Sequence, residues 1–377
     1  MLERFFAIFR KEGRELLRDP VYLALTFVIP MLMLVLFGFG LSLDVKNLPL
    51  VFVDRDKTPM SRDYMDAFYH SEYFTLRGVT DDPREEARWL RSGRARVIIE
   101  IPTGFGRDLT SGRPVNVGVT VDGSFPTRAA VISGYVAAIN ALYNGRLLAD
   151  HLARQGMGSA GVLPVAMDTS VWYNPSLESK NTIVPGLLVL ILMLFPAIMG
   201  ALLVARETES GTIFNYYASP ARRWEIIAGK VAPYLAVAYL DYLLIFAASL
   251  FVFQVRFVGS VAVLSLSALL YAVCTIGIGL LFSILVRTQL AAMILTFLAT
   301  VTPAFNYSGF ITPVASMDAG GQFIARLIPA TYFMELVRGS YMKGLGFAYY
   351  WPQISALAAY TLAVYGLAWL LLRKRIG

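Results

Sequence analysis

The 377-residue chain is 56% hydrophobic and only 16% charged, with 33 Lys+Arg against 26 Asp+Glu and a net charge of +7. Ordinary soluble domains carry about 25% charge, so a wholly soluble protein is excluded, and the placement of the basic residues argues for membrane topology rather than nucleic-acid binding. The single cysteine, Cys274, rules out an intrachain disulfide and a cysteine-built zinc site, and the two histidines, His70 and His151, are too few for a histidine-rich metal site.

In residues 1–19, Leu2, Phe5, Phe6, Phe9, Leu16 and Leu17 recur at mostly helical spacing, with Arg and Lys on much of the other face. The pattern predicts an amphipathic helix at the cytoplasmic membrane interface. A solvated helix packed on protein is the alternative. Pro20 breaks it. Six nearly charge-free stretches follow: Val21–Leu43, Ile183–Ala205, Val231–Phe253, Val261–Val286, Leu290–Phe310 and Ile354–Leu372. Each is long enough to cross a bilayer, which takes about 20 apolar residues. The first is too long for a signal-peptide core of about 7–15 residues and reads as an uncleaved anchor.

The predicted fold class is an α-helical polytopic membrane protein, with six transmembrane helices and an extracytoplasmic α/β domain inserted after the first. The boundaries are 1–19 for the interface helix, 20–43 for the first span, 44–180 for the α/β domain and 181–377 for the remaining spans. Within 44–180, strands are predicted at 50–54, 97–101 and 115–122. Helices are predicted from Thr58-Pro59 to about Tyr69, from Asp81-Asp82-Pro83 to near Gly93, and from Thr127 to about Gln155, before a Gly-rich stretch at 156–161.

Arg4, Arg10, Lys11, Arg14 and Arg18 precede the first span; Arg206, Arg222, Arg223 and Lys230 lie between the second and third. Arg287 separates the fourth and fifth, and Arg373, Lys374 and Arg375 follow the sixth. Short cytoplasmic loops are rich in Lys and Arg, so both termini are expected in the cytoplasm and the long 44–180 segment outside. The loop at 206–230 is then cytoplasmic, compact and amphipathic. The 311–351 segment is external, with short helices that dip into the outer leaflet or line a vestibule.

Motifs for chemistry are missing. Trp224 stands where a phosphate-binding loop ending at Gly229-Lys230 needs its first glycine, and no H-E-x-x-H or G-x-S-x-G occurs. The chain is therefore expected to be no enzyme and to have no cofactor of its own. Inside the spans, Asp241 is a candidate pathway residue, because an ionisable group at membrane depth is costly. A structural hydrogen bond or a protonated acid is the plainer reading. Asn306 and Tyr307, after Pro303, are similar candidates, or else they satisfy a helix end broken by proline.

Three motifs carry a family resemblance: Arg206-Glu207-x-Glu209-x-Gly211-Thr212 with Ser219-Pro220 and Trp224-Glu225-Ile226; Ser308-Gly309-Phe310-Ile311-Thr312-Pro313 with Ser316-Met317; and Ile328-Pro329-Ala330-Thr331-Tyr332-Phe333 with Arg338-Gly339 and Lys343-Gly344. In this order the chain resembles permease subunits of type-2 ATP-binding-cassette exporters, in the bacterial inner-membrane subset with a large external domain. One departure is Asp318, where the family usually has proline. The resemblance implies that Arg206, Glu207, Glu209, Gly211, Thr212, Phe214 and Tyr217 couple to a separate ABC ATPase subunit, which holds ATP and magnesium. It also implies a second permease, identical or paralogous, and a hydrophobic or amphipathic substrate, drug-like or lipid-like. A periplasmic adaptor is an optional further partner; nucleic acid is not one. Two other classes stay open: a receptor or sensor with an external ligand-binding domain, and an ion-coupled secondary transporter using Asp241.

Overall fold

The computed structural model describes residues 2–41, 47–124, 126–154, 173 and 178–372. The Gly-rich stretch 156–161 and the basic tail Arg373-Lys374-Arg375 lie outside the described residues. In chain order the elements are α1 (Leu2–Arg18), α2 (Pro20–Leu23), a π-helical turn (Ala24–Val28) and α3 (Ile29–Gly40). Then come β1 (Leu48–Asp54), α4 (Pro59–Tyr69), β2 (Phe74–Thr80), α5 (Pro83–Arg91), β3 (Val97–Ile101), α6 (Phe105–Thr110), β4 (Gly118–Val121) and α7 (Pro126–Arg154). The rest is α8 (Lys180–Ser210), α9 (Ile213–Ala218), α10 (Arg223–Phe251), α11 (Val261–Leu285), α12 (Gln289–Tyr307), a 3-10 turn (Val314–Ser316), α13 (Ala319–Arg326), α14 (Pro329–Met342) and α15 (Phe347–Leu371). The chain forms two compact units, one of Met1–Ser42 with Val171–Gly377, the other of Leu43–Ser170.

In the helical unit, α8, α10, α11, α12 and α15 are each long and apolar enough to cross a membrane. The first predicted span differs in form. Its helix is broken, and the apolar segment at Thr26–Gly40 is shorter than the other five. The cause is local: the Ile29 N–H reaches back five residues to the Ala24 carbonyl, just before Pro30. Proline donates no hydrogen bond and its ring crowds the carbonyl four residues back, so a wider π turn relieves the ladder there.

Helix α8 is the hub, with 94% of its apolar window buried, against 22% in α12 and 17% in α15. Glycine lets α11 approach it. A Cβ on Gly279 would lie 1.9 Å from the Ala197 carbonyl oxygen, and one on Gly200 2.2 Å from that of Ile276. Small residues allow such backbone proximity between apolar helices. The Ser283 hydroxyl of α11 also accepts the N–H groups of Val204 and Ala205, at 2.9 and 2.8 Å.

The 311–351 segment does contain short helices, but α14 is largely buried against the bundle, whereas Phe323 and Leu327, on and just after α13, are exposed. Irregular backbone beside apolar helices needs internal partners. Arg338 on α14 provides them, donating through Nη1 to the Gly309 carbonyl at 2.6 Å and through Nη2 to that of Phe310 at 2.9 Å. Gly309 adopts a φ of 89°, open to glycine. At the departure from the family pattern, Asp318 is the N-cap of α13: its Oδ1 accepts the Gly321 N–H at 3.2 Å.

The other unit is a four-stranded sheet in the order β2-β1-β3-β4, with β4 antiparallel to β3 and the other pairs parallel. Strand β2 escaped the sequence reading because FTLRGVT alternates weakly and is mostly half-exposed. Helix α6 escaped because its six residues are too few to show a periodic pattern. Leu50 and Phe52 face a core shared with Tyr64 and Phe68 of α4 and Ile132, Val136 and Ile139 of α7; Val51 and Val53 face Trp89 and Leu90 of α5. Helices on both faces explain why β1 reads as an unbroken apolar run rather than an alternation.

Candidate functional site

Helix α1 lies on the first turns of α10, where a Cβ on Gly229 would sit 2.9 Å from the Cβ of Ile8. The stripe it buries is Ile8, Glu12 and Leu16, while Phe6 and Leu17 are exposed. Of the six apolar positions read in the sequence, Leu16 is on the side packed against protein, while Phe6 and Leu17 are on the open side. The buried position in the middle of the stripe is an acid.

Glu12 meets Lys230, whose Nζ lies 2.8 Å from Glu12 Oε1, 2.8 Å from Glu207 Oε2 and 3.1 Å from the Leu203 carbonyl. Lys11 Nζ reaches the other Glu207 oxygen at 2.8 Å. The side chains of Lys230, Glu12 and Glu207 are only 2%, 4% and 8% exposed. Two acids and two lysines therefore form a knot joining α1, α8 and α10, with the exposed Glu15 3.6 Å from Lys11 at its rim. Burying such ions is costly, so each depends on its partners. Beside the knot, Arg206 lies 3.5 Å from Asp19 and its cation sits 5.4 Å from the centre of the Tyr22 ring.

The knot is one wall of a cleft of about 690 Å3 between α1 and the turn from α8 to α10, lined among others by Arg4, Lys11, Arg206, Glu207, Thr212 and Pro220. Arg4 closes one end by donating to the Pro220 carbonyl at 2.9 Å. Helix α8 stops at Gly211, whose φ of 75° suits glycine. Thr212 hydrogen-bonds Ser210 at 2.9 Å, and α9 follows. In α9, Ile213 is buried and Phe214 is 69% exposed. The side chain of Tyr217 lies outside the described residues.

The seven residues expected in coupling thus divide. Glu207 faces inward, held by two lysines, because its position falls on the buried face of α8. Glu209 is exposed, but its Oε2 accepts the Gln289 backbone and side-chain N–H groups at 2.8 and 3.2 Å, capping the start of α12. Arg206 is braced by Asp19, and Phe214 is a large exposed side chain among the described residues.

The three pathway candidates are not brought together. Asp241 is 1% exposed, and its Oδ1 has no hydrogen-bond partner among the described residues. Asn306 is exposed on α12 and donates to the Thr302 carbonyl of its own helix at 2.8 Å; the carbonyl that Pro303 leaves without its helical partner is that of Ala299, so Asn306 does not repair the proline break. Tyr307 is half-buried, and its carbonyl lies 3.5 Å from the Thr331 hydroxyl.

In the α/β unit the strand order reverses between β1 and β3, the place where open sheets of this kind take ligands at the carboxyl ends of strands. Asp56 fills that crevice with its own side chain. Its Oδ1 accepts the Gly104 N–H at 2.8 Å, and its Oδ2 the Gly106 N–H at 2.9 Å and the Thr58 hydroxyl at 2.5 Å. Desolvation pushes the Asp56 carboxyl upward, but the bonds from Thr58, Gly106 and Gly104 outweigh it and hold the group below the ordinary carboxylate range.

Glu12 and Ser283 were missed in the sequence, and Lys230 and Arg338, met there as a basic loop residue and as part of a motif, were given no structural role. Only Glu12 left a clear signal, as an acid at the centre of an i, i+4, i+8 apolar stripe.

Residues 20–370 match the profile described as ABC-2 family transporter protein. The chain belongs to the ABC-2 transporter family. It is 28% identical over 374 residues to the probable multidrug ABC transporter permease YbhS of Escherichia coli strain K12, covering 99% of this chain and 97% of that protein. It is 27% identical over 376 residues to the probable multidrug ABC transporter permease YbhR of the same strain, covering both in full, and 28% identical over 390 residues to the inner membrane transport permease YhhJ, covering 100% and 98%. Three motifs met in the sequence thus acquire structure in a member of this family: a braced loop after α8, a turn held by Arg338, and the α14 helix that carries it.

Proposed function

We propose that this ABC-2 family member is the permease subunit of an exporter driven by a separate ATPase, and that the turn from α8 to α10 is where the ATPase docks. The observation that carries this is the exposed Phe214 on a short helix whose flanks are pinned by the Glu12–Lys230–Glu207 knot. A large aromatic beside a cleft is the kind of anchor that dominates protein–protein binding. The rigid flanks pass a push on α9 into α8, the most buried helix of the bundle. ATP and magnesium belong to that partner.

In this reading Pro20–Gly40 crosses the membrane as a sixth span despite its π turn, both termini are cytoplasmic, and the α/β unit is extracytoplasmic. The permease works in the inner membrane with a second copy or a paralogue, and a periplasmic adaptor is an optional addition. The substrate is hydrophobic or amphipathic and moves outward, with Asp241 on its path and with Asn306 and Tyr307 on the separate surface of α12. The self-filled crevice at Asp56 counts against an external ligand sensor.

The test is ATPase activity and efflux of the reconstituted complex with Glu209→Lys, alone or with Gly211→Pro. Substrate-stimulated hydrolysis and export should fall together while the permease still reaches the membrane. Wild-type levels of both would refute the docking assignment. Orientation is tested separately in a Cys274→Ser background: cysteines at Ser71 and Ser111 should react with an impermeant thiol reagent in intact cells and one at Ser210 should not.

A further inference from the structure

Between α10 and α15 a second cavity, of about 440 Å3, opens over α11. Its walls are Trp224, Ala228, Val231, Ala232 and Leu235 of α10 and Trp369 of α15, and Val273 of α11 lines it as well. Ala228 and Ala232, one turn apart, leave the room. Tyr365 presents only its ring, because its hydroxyl donates to the Val273 carbonyl at 3.1 Å. The cavity is thus a dry slot of ligand size.

Its length, depth and charge identify the occupant. From Trp224 to Leu235 a helix rises about 16 Å, and half of the hydrocarbon core is about 15 Å, so the slot is one leaflet deep. Trp224 and Trp369, both nearly half-exposed, stand at its outer end, where tryptophans mark the membrane–water boundary. At that end Arg223 lies over the Trp369 ring, 5.8 Å from its centre, and Arg222 is adjacent. Among the described residues neither guanidinium has a carboxylate within ion-pairing distance. An apolar slot one leaflet deep with unneutralised cations at its mouth is complementary to an acyl chain under an anionic headgroup.

We infer that the α10–α15 slot holds one anionic phospholipid, its acyl chain along Ala228 and Ala232 and its headgroup at Arg223. The assignment of the slot to the cytoplasmic leaflet rests on the orientation proposed above; the binding itself does not. The mouth of the slot adjoins the turn from α8 to α10, but the slot contains none of the seven residues expected in coupling.

The experiment is native mass spectrometry of the full-length chain in detergent, titrated with phosphatidylglycerol or with phosphatidylcholine of the same acyl chains. Wild type should retain one phosphatidylglycerol in preference to phosphatidylcholine by about fivefold, the factor that one basic residue contributes toward an anionic lipid surface. Arg223→Gln should erase the preference but keep a weaker, charge-independent adduct, and Arg223→Lys should restore it. Ala228→Leu with Ala232→Leu should remove the adduct with both lipids. Equal retention of the two lipids by wild type would overturn the anionic headgroup, and a phosphatidylglycerol adduct that survives in the filled slot would overturn the site. The readout is binding alone, so it stands whether or not the chain proves to be an exporter.

Discussion

Lys230 and Asp241 are both buried in α10, about three helical turns apart, yet their surroundings are opposite. Lys230 has two carboxylates and a carbonyl around its ammonium group, contributed by α1 and α8. Asp241 has an oxygen with no partner among the described residues. A buried charge surrounded by opposite charges acts as a fastener, because removing any member strands the others. A buried acid with an open valence is fastened to nothing and is free to meet a proton, a substrate or a neighbouring subunit. The same helix thus combines a rigid end, suited to passing force, with a deeper site suited to changing partners.

The sharpest way to break this contrast is Lys230→Met. It leaves Glu12 and Glu207 buried near each other, and loss of one member of a buried ion pair costs about 3–5 kcal/mol. Thermal unfolding of the purified chain should show a drop of that size, and Lys230→Met combined with Glu12→Gln and Glu207→Gln should recover most of it. A melting point unchanged by Lys230→Met alone would mean the knot is no fastener. Arg338→Gln is an intermediate case, since its cation is answered by two carbonyls; the expected loss is about 3 kcal/mol, from hydrogen bonds to a charged donor, read from the same melts.

In the α/β unit, Asp56→Asn should cost about 1–2 kcal/mol, because an amide accepts less strongly than a carboxylate. The Asp56 carboxyl titrates lower in the folded chain than its ordinary value. Its contribution is therefore complete above the unfolded value of about 4 and fades as pH falls through the lower folded value. Protection of the Gly104 and Gly106 amides against exchange, taken relative to their intrinsic rate at each pH, should fall in that acid range for wild type and be low at all pH values for Asp56→Asn. Asp241→Asn should have the smallest effect on stability, within about 1 kcal/mol of wild type, because no described partner is lost. Its export should nonetheless fall. A melt as poor as that of Lys230→Met would show that Asp241 is a fastener after all.

The division between legible and hidden features follows the physics of each signal. Apolar runs such as Ile183–Ala205 and Val261–Val286 are written in composition alone; α8 contains the first, and α11 covers the second up to Leu285. Helix ends were less legible: α10 and α15 begin eight and seven residues before their apolar runs at Val231 and Ile354, because amphipathic turns carry them on as far as Arg223 and Phe347. The π turn depended on where Pro30 falls within the first run. The 206–220 loop could be found as a string, but the inward turn of Glu207 and the capping by Glu209 could not, since each depends on a partner far along the chain: Lys230 for one and Gln289 for the other. Long-range pairs of this kind leave no periodic trace in a single sequence.

The central claim, that α9 is where an ATPase engages the permease, is tested most directly at Phe214. Its side chain is 69% exposed, so Phe214→Ala should cost the isolated permease no more than about 0.5 kcal/mol of stability. Against the ATPase it should act as a hot-spot truncation of about 2 kcal/mol or more, roughly a 30-fold loss of affinity. The measurement is co-purification and titration of the ATPase subunit onto the permease in nanodiscs, with ATP hydrolysis followed in parallel. The account predicts that the variant folds, reaches the membrane and fails to hold or be coupled to the ATPase. Wild-type affinity together with wild-type substrate-stimulated hydrolysis in Phe214→Ala would contradict it.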